Sequence, residues 1–438
     1  MHSHFIGLLF VLILFILILI RLPIGVALGI SGFLGLWVLI DYNFAATILE
    51  TLPFSVVSNY SWVVFPMFIL VGSFVQISGL SSQIFKASYW LLGRMKGGLY
   101  LAVIAGSAGF SAASGSTMVN AMVFTRIAYP EMVKYGYSKR LSLGSIAAAG
   151  TFAAMIPPSL TMVIYAIITE QSIGKMLLAG VIPGILSAVI YAVMIIVVVR
   201  IKPHLSPKKI EVYETKKEKK QALTGLMSLF ILIFVILGGI YSGVFPPSQA
   251  GVAGAMLAFM FALIKKGFKK KWVFESLKES VVMASSIFII LIGGAIFSRM
   301  VSISGIVQSF TTFMISLSSS KIIILLLISL LYLVLGSILD SASMMIITLP
   351  FVFPIILQYQ INPIWFGVIF VKLIEIAVIT PPIGLNLFAV YGAVKNQAKF
   401  KDVVVGILPF LVMDLFTLGI LIALPGLSLY LPGKLMGT

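Results

Sequence analysis

The 438-residue sequence contains no cysteine and only three histidines, and both shortages restrict its chemistry. The absence of cysteine excludes disulfides, thiolate nucleophiles, zinc–thiolate sites and iron–sulfur clusters. His2 and His4 lie at the extreme N-terminus and His204 in a charged loop, which excludes intramembrane haem ligation and a metalloprotease with two histidines on one helix. Only four aspartates occur, and Asp340 lacks an obvious partner for an intramembrane aspartyl protease.

Charged residues are scarce as well, at 10% of the chain against 60% hydrophobic residues. Average soluble domains contain about 25% charged residues. The mean hydropathy of +1.15 excludes an ordinary soluble protein. A soluble domain on a single anchor is excluded too, because no long segment has a soluble composition. The sequence therefore predicts an all-α polytopic membrane protein.

Apolar segments long enough to cross a bilayer recur along the chain. We predict them at about 4–20, 24–40, 53–80, 142–168, 174–200, 223–242, 249–264, 279–302, 363–394 and 403–432. Two further apolar stretches, at about 98–126 and 322–350, are interrupted by small polar residues. Such an interruption is typical of a re-entrant hairpin, which enters and leaves the membrane on one side.

The net charge of +17 agrees with the usual excess of basic residues in cytoplasmic loops. If both hairpins are re-entrant, 25 of the 30 basic residues lie on the same side as the segment 201–222. This segment is predicted to be a charged cytoplasmic linker, and without interleaved aromatic residues it does not indicate a nucleic-acid partner. Both termini are then predicted outside. The first span lacks a signal-peptide cleavage site and is predicted to be retained.

The two halves of the chain match at a fixed offset of 224 residues. The offset relates four pairs of prolines: Pro23 and Pro247, Pro130 and Pro354, Pro157 and Pro381, and Pro158 and Pro382. We therefore predict two structural repeats, 1–200 and 223–438, each with one hairpin and one broken helix (142–168 and 363–394). The first hairpin opens from the inside and the second from the outside, so the repeats are inverted, as in many secondary transporters.

Each repeat carries a polar hairpin tip and a double proline within a span. The tips lie near 111–120 and 336–343, and the double prolines are Pro157-Pro158 and Pro381-Pro382. A double proline removes backbone donors and frees carbonyl groups one turn earlier, which is costly in hydrocarbon. A hard cation prefers oxygen ligands, so it can bind the freed carbonyl groups. Hydroxyl groups of the tips can then complete its coordination shell. We predict one sodium ion in each repeat and an anion between the tips, near helix N-termini.

The candidate site residues follow from these two elements, and no catalytic residue is predicted. For the cations we predict Ser114, Gly115, Ser116, Thr117, Pro157, Gly336, Asp340, Ser341, Thr380 and Pro381. For the substrate we predict Ser111, Asn120, Ser159, Ser343, Gly384 and Asn386. A carboxylate at membrane depth costs ~2.5–3.5 kcal/mol, so Asp340 is expected to ligate a cation or carry a proton. Lys372 and Glu375 form an intrahelical ion pair, or Glu375 positions the broken helix or a coupling ion.

Taken together, these motifs resemble the large membrane subunit, or M subunit, of tripartite ATP-independent periplasmic (TRAP) transporters. The resemblance covers nearly the full chain, and the length and span count agree with it. It rests on Ala105-Gly106-Ser107, Ser114-Gly115-Ser116, Tyr129-Pro130-Glu131-Met132, Tyr135-Gly136-Tyr137, Ala148-Ala149-Gly150-Thr151, Ile156-Pro157-Pro158-Ser159, Phe366-Gly367 and the run from Thr380 to Phe388. One departure is Lys372, which stands where an apolar or neutral residue is expected.

The resemblance implies an elevator-type, sodium-coupled importer of small organic anions in a bacterial or archaeal cytoplasmic membrane, with sodium as the coupling ion and no other cofactor. It implies two partners: a small four-span membrane subunit (Q type) and an extracytoplasmic substrate-binding protein (P type). The alternative within transport is a stand-alone sodium- or proton-coupled anion symporter. A membrane enzyme is disfavoured because the apolar segments lack both histidines and paired acids. A scaffold without transport activity is disfavoured because it would not need polar tips at membrane depth.

Overall fold

The computed structural model describes residues 2–207, 216–318, 320–336, 339–395 and 397–437. Part of the predicted linker (208–215) and two positions of the second predicted tip (337–338) lie outside the described residues. Within the described ranges the regular elements are all helical, and eight helices are long and apolar enough to cross a membrane. These observations confirm the prediction of an all-α polytopic membrane protein.

The α-helices are numbered in chain order. In the first half they are α1 (His2–Leu19), α2 (Ile24–Leu39), α3 (Tyr42–Val57), α4 (Val64–Ile77), α5 (Leu80–Leu92), α6 (Gly98–Ser114), α7 (Thr117–Lys134), α8 (Lys139–Gly150), α9 (Phe152–Met155), α10 (Leu160–Ile168) and α11 (Ile173–Ile201). In the second half they are α12 (Lys216–Ile233), α13 (Gly239–Tyr241), α14 (Pro247–Lys266), α15 (Lys270–Ser304), α16 (Ile306–Leu317), α17 (Lys321–Leu335), α18 (Ser341–Gln358), α19 (Pro363–Ala377), α20 (Leu385–Ala393), α21 (Phe400–Ala423) and α22 (Gly426–Met436). The remaining helical turns are Tyr60–Val63, Pro203–Leu205 and the π-turn Phe234–Gly238.

Besides the two spans broken at the double prolines, two further predicted spans are divided into separate helices. In the segment 53–80, α3 and α4 are separated by a 3₁₀ turn, which begins where the Asn59 side chain accepts a hydrogen bond from the Ser61 amide at 3.0 Å. In the segment 403–432, α21 and α22 are separated just before Pro425, which has no amide hydrogen to continue the first helix. Both divisions are local capping effects within an apolar stretch.

Four helices, α2, α4, α14 and α15, form a framework of two contacting pairs. Helix α2 lies along α15, α4 lies along α14, and α4 also contacts α15. The first pair approaches closely at Gly25 and Gly293, where a Cβ on Gly293 would lie 2.0 Å from the Gly25 carbonyl oxygen. Only glycine fits this contact, and small residues at helix interfaces are typical of membrane proteins.

The inner group consists of two helical hairpins, α6–α7 and α17–α18, and two broken helices, α8–α10 and α19–α20. Helices α6 and α7 pack together, and the Tyr332 hydroxyl is 2.7 Å from Thr348 Oγ1 between α17 and α18. Each broken helix contacts the hairpin of the other half, since α10 packs on α18 and α20 packs on α7. Helix α19 also packs on α9 and α10. The two halves of the chain therefore meet around the candidate site.

Helices α11 and α21 complete the inner group. Helix α21 lies along α8, where a Cβ on Gly406 would lie 2.0 Å from the Arg140 carbonyl oxygen. The same two helices are joined by an ion pair, with Arg140 Nε 3.0 Å from Asp402 Oδ1. Helix α11 contacts both α19 and α21, so the three helices enclose a common interior.

Candidate functional site

The first broken helix is interrupted between α9 and α10. The peptide bond between Pro157 and Pro158 is cis, and α10 begins after Ser159. The Ser159 hydroxyl caps α10 by accepting a hydrogen bond from the Met162 amide at 3.2 Å, and it donates to the Ala154 carbonyl oxygen across the break. Ser159, a predicted substrate ligand, is therefore buried and uses its hydroxyl to join both sides of the break.

The second broken helix is interrupted between α19 and α20, and its peptide bond between Pro381 and Pro382 is also cis. The Asn386 amide nitrogen donates to the Val378 carbonyl oxygen at 3.0 Å, which spans the break. Gly384 has φ +50°, and a Cβ there would lie 3.1 Å from the Thr380 carbonyl oxygen. A glycine is suited to this tight backbone conformation. The predicted residues Thr380, Pro381 and Gly384 therefore all lie in one compact turn.

The buried side chain of Asn386 has polar atoms that are free to bind a ligand. The residue is fully buried at the start of α20. Neither its Oδ1 nor its Nδ2 has a hydrogen-bond partner among the described residues. An unpartnered buried polar group costs about 1–3 kcal/mol, so native structures rarely retain one without a ligand, water or ion. The amide therefore offers one acceptor and two donors to a bound species.

The first hairpin tip reaches the first break. Helix α6 ends at Ser114, Gly115 has φ +60°, and Ser116 caps α7. A Cβ on Gly115 would lie 3.1 Å from the Pro158 carbonyl oxygen, so the tip approaches the break with little room to spare. Ser114 Oγ is buried and has no hydrogen-bond partner in the part of the chain that the structure describes. The predicted cation residues of the first half, including Thr117 and Pro157, thus lie together.

Two predicted substrate ligands bond inside the hairpin instead of projecting from it. Asn120 Nδ2 donates to Ser111 Oγ at 2.7 Å, and Ser111 donates to the Ser107 carbonyl oxygen at 2.7 Å. The Ser107 hydroxyl lies 3.0 Å from Asn120 Oδ1 and 2.9 Å from the Ala149 carbonyl oxygen. This network joins α6, α7 and α8. A substrate role for Ser111 and Asn120 would require these bonds to be exchanged.

The second hairpin tip lies beside the start of the second break. A Cβ on Gly336 would lie 2.2 Å from the Cβ of Ala377, the last residue of α19. Asp340 caps α18, and its Oδ1 accepts hydrogen bonds from the amides of Ala342 and Ser343 at 3.0 and 3.1 Å. The Ser343 hydroxyl donates to Asp340 Oδ2. The tip therefore holds a carboxylate at a helix N-terminus, with Ser341 in the first turn.

Two cavities lie between the framework helices and the inner group. The larger, about 320 Å³, is lined by Asn59 and Trp62 at the turn before α4, by Ser298 of α15, and by Ile167 and Pro350 of the inner group. Its lining thus combines polar groups with apolar ones. Of the described residues that line it, none is a predicted substrate ligand.

The smaller cavity, about 20 Å³, lies beside the first hairpin tip and accommodates one water-sized species. Its polar lining consists of Ser73, Gln76, Ser114, Ser116 and Glu279. The Ser73 hydroxyl donates to Glu279 Oε2 at 2.9 Å. A framework carboxylate and two tip hydroxyls therefore share one small polar space, which suits a cation or a water molecule.

A charged cluster lies between α11, α19 and α21. Lys372 Nζ is 2.8 Å from Glu375 Oε2 and 2.6 Å from Asp414 Oδ1, and these side chains are fully buried. Lys372 also donates to Ser187 Oγ at 3.1 Å, and the Tyr191 hydroxyl donates to Asp414 Oδ2 at 2.6 Å. The predicted intrahelical pair is present. Asp414 is not among the residues predicted from the sequence, although an acidic residue within the apolar span 403–432 is a signal for such a role.

The donor set matches the chemistry of an alkali cation better than that of a transition metal. No group of three or more histidine, cysteine, aspartate or glutamate side chains that could hold a metal ion occurs among the described residues. The two tips instead offer hydroxyl oxygens, one carboxylate and backbone carbonyl groups. Oxygen donors of this kind suit hard cations.

Comparisons with known proteins bear on the family of the chain. The family model described as "Tripartite ATP-independent periplasmic transporter, DctM component" matches residues 11–427. A protein of Vibrio cholerae named C4-dicarboxylate TRAP transporter large permease protein DctM is 32% identical over 99% of this chain and 98% of its own length. The protein of that name from Pseudomonas aeruginosa is 33% identical, over 93% of this chain and 94% of its own.

A solved structure shares the fold. The crystal structure of the YdaH transporter of Alcanivorax borkumensis aligns with a TM-score of 0.62, covering 97% of this chain and 98% of that one. The sequence identity is 13%, so the likeness concerns the fold alone.

Proposed function

Because the chain belongs to the DctM family of TRAP transporters, we propose that it imports small organic anions together with sodium ions. The recognition of this family from the motifs is confirmed, and the family is one of transporter permeases, which are not enzymes. The observation that carries the proposed site is the buried, unpartnered amide of Asn386 behind the second break. Its free acceptor and donors suit a site that binds an ion or a carboxylate.

We place one sodium ion at each tip-and-break pair. At the first, the unpartnered Ser114 hydroxyl, the Ser116 hydroxyl and the backbone around Pro157 supply oxygen donors. At the second, Asp340, Ser341 and the turn from Thr380 to Gly384 supply them. A monovalent cation offsets the cost of freed carbonyl groups at membrane depth, which supports cation binding at both breaks.

The substrate class is a small carboxylate, bound between the two tips. Two relatives that are 32% and 33% identical carry names with C4-dicarboxylate, so we propose this class first. Asn386, at the start of α20, supplies amide donors to a carboxylate, and the start of a helix favours an anion. The cavity of about 320 Å³ is the proposed entrance.

The inverted repeat and the elevator movement remain proposals, and several matches at the 224-residue offset support them. The residues that cap α7 and α18, Ser116 and Asp340, are related by that offset. The first residues of α8 and α19, Lys139 and Pro363, are related by it as well. The double prolines Pro157-Pro158 and Pro381-Pro382 repeat at the same offset. We propose that the framework helices stay fixed while the inner group carries ions and substrate across the membrane.

We propose that the chain works with a small four-span membrane subunit and an extracytoplasmic substrate-binding protein. Support comes from the family description, which names the transporter as tripartite and periplasmic. The proposed location is a bacterial or archaeal cytoplasmic membrane with both termini on the periplasmic side. The basic residues on the opposite side support this orientation.

We expect Asp340→Asn to raise the sodium concentration that gives half-maximal uptake by about tenfold, because one ionised ligand of the second sodium ion is lost. Uptake of a labelled C4-dicarboxylate into proteoliposomes holding this chain, its small subunit and the binding protein measures the effect. The matched control is Asp41→Asn, which also removes a helix-capping carboxylate, here 2.8 Å from the exposed Phe44 amide. Equal sodium dependence in both variants would contradict the assignment of Asp340.

The alternative is a stand-alone sodium- or proton-coupled anion symporter. Asp340 could serve that mechanism as a proton carrier, since a carboxylate at membrane depth is usually functional. The same proteoliposomes distinguish the two mechanisms when the binding protein is left out and when a proton gradient replaces the sodium gradient.

A further inference from the structure

The charged cluster of Lys372, Glu375 and Asp414 contains one base and two acids, all without exposure to solvent. If every group is ionised, the cluster carries a net charge of −1. An uncompensated charge in a buried site costs several kcal/mol, and a membrane interior offers no water to reduce that cost. The cluster therefore needs one further positive charge.

The hydrogen bonds identify the acid that is less well supported as an anion. Both oxygens of Asp414 accept a short bond, one from Lys372 at 2.6 Å and one from Tyr191 at 2.6 Å. Glu375 Oε2 accepts from Lys372 at 2.8 Å. Glu375 Oε1, in contrast, is buried without a hydrogen-bond partner anywhere in the described ranges. A neutral carboxylic acid at this position costs far less than a carboxylate with one bare oxygen.

We propose that the cluster is a proton-binding site, in which Glu375 takes a proton from water onto its carboxylate while Lys372 and Asp414 remain an ion pair. The carboxylate becomes a carboxylic acid, and the net charge of the cluster changes from −1 to zero. The site lies on α19, ahead of the second break, and is separate from the sodium ligands at the tips.

Among the described residues, the ion pairs of this cluster involve no further charged side chain. The groups that face Glu375 are Lys372 on its own helix, Asp414 on α21, and Tyr191 on α11. On the other helices packed against α19, Tyr165 bonds to the Pro363 carbonyl oxygen, Tyr332 to Thr348 and Asp340 to Ser343, Lys434 lies over the Tyr430 ring, and Lys321 is exposed at the start of α17.

A proton suits the site better than a sodium ion does. Lys372 already occupies the space between the two acids and uses its three donors on Glu375, Asp414 and Ser187. A sodium ion would need several free oxygen atoms around Glu375 Oε1, whereas a proton needs only that oxygen. The matching positions of the first half are Ala148 and Thr151, so the first half lacks this charge pattern.

The test is infrared spectroscopy of the purified chain in lipid nanodiscs at neutral pH, without sodium, with the C=O band of protonated carboxylic acids as the readout. We expect the difference spectrum, wild type minus Glu375→Gln, to show one such band. Asp414→Asn is expected to lose the same band, because Lys372 then balances an ionised Glu375. Asp41→Asn, which alters an exposed acid, is the control and is expected to keep it.

Three results would overturn the proposal: no band in the wild-type difference spectrum, a band that persists in both Glu375→Gln and Asp414→Asn, or a band that disappears when sodium is added. The last result would assign sodium as the balancing charge. Size-exclusion chromatography shows whether each variant folds. If either Glu375→Gln or Asp414→Asn does not fold, the other still tests the proposal, because both are expected to lose the band. The spectrum is recorded without uptake, so its result does not depend on transport activity. Failure of this proposal can therefore be told apart from failure of the proposed transport function.

Discussion

Asn386→Leu is expected to lower uptake about 10- to 100-fold at limiting sodium and substrate. The reason is that the buried amide is assigned to a bound ion or carboxylate, and a hydrogen bond to a charged group contributes about 1.5–3 kcal/mol. The same change removes a buried polar group that has no partner elsewhere in the described chain, so thermal stability is expected to stay constant or rise. Uptake in proteoliposomes and melting temperature in detergent measure the two effects.

The matched control for this variant is Asn43→Leu, which changes an exposed asparagine on α3. It is expected to leave uptake unchanged. A large fall in melting temperature for Asn386→Leu would contradict the assignment, because it would mean that the amide stabilises the folded chain. Normal uptake with normal stability would contradict it as well, since the amide would then be unused.

Lys372→Met is expected to lower the melting temperature strongly. Removing one partner of a buried ion pair typically costs about 3–5 kcal/mol, because the remaining charge has no compensation. Here the loss leaves Glu375 and Asp414 together in a site without solvent. Thermal unfolding in detergent measures the effect, with Lys321→Met, an exposed lysine at the start of α17, as the control.

A second variant separates charge from packing. In Lys372→Met combined with Glu375→Gln and Asp414→Asn, the cluster holds no charge, and the melting temperature is expected to recover most of the loss. Replacing every member of a buried charged cluster by a neutral residue often leaves stability unchanged, because no unpaired charge remains. If the single and triple variants were equally unstable, loss of packing around the lysine stem would explain the result better than charge.

Much of the architecture is predictable from the spacing of prolines and small polar residues. The double prolines Pro157-Pro158 and Pro381-Pro382 interrupt apolar runs, and the structure places a helix break at each. Helices α6–α7 and α17–α18 cover the two predicted hairpin stretches and continue to Lys134 and Gln358, beyond the predicted ends, while their re-entrant course stays a prediction. A proline removes a backbone donor wherever it stands, so its effect is local and can be read from one sequence.

The contacts that depend on packing are not predictable in this way. Asp414 lies 42 residues after Lys372, and only the packing of α21 against α19 brings them together. The internal bonds of Ser111 and Asn120 depend on the angle between the hairpin arms. Sequence patterns show that a polar group is present at membrane depth, but they do not show which partner satisfies it.

The most direct test of the account is uptake of a labelled C4-dicarboxylate into proteoliposomes under an imposed sodium gradient, with each component left out in turn. The account predicts uptake only when this chain, the small membrane subunit, the substrate-binding protein and the sodium gradient are all present. Uptake without the binding protein, or with a proton gradient alone, would contradict the tripartite, sodium-coupled mechanism and support the stand-alone symporter.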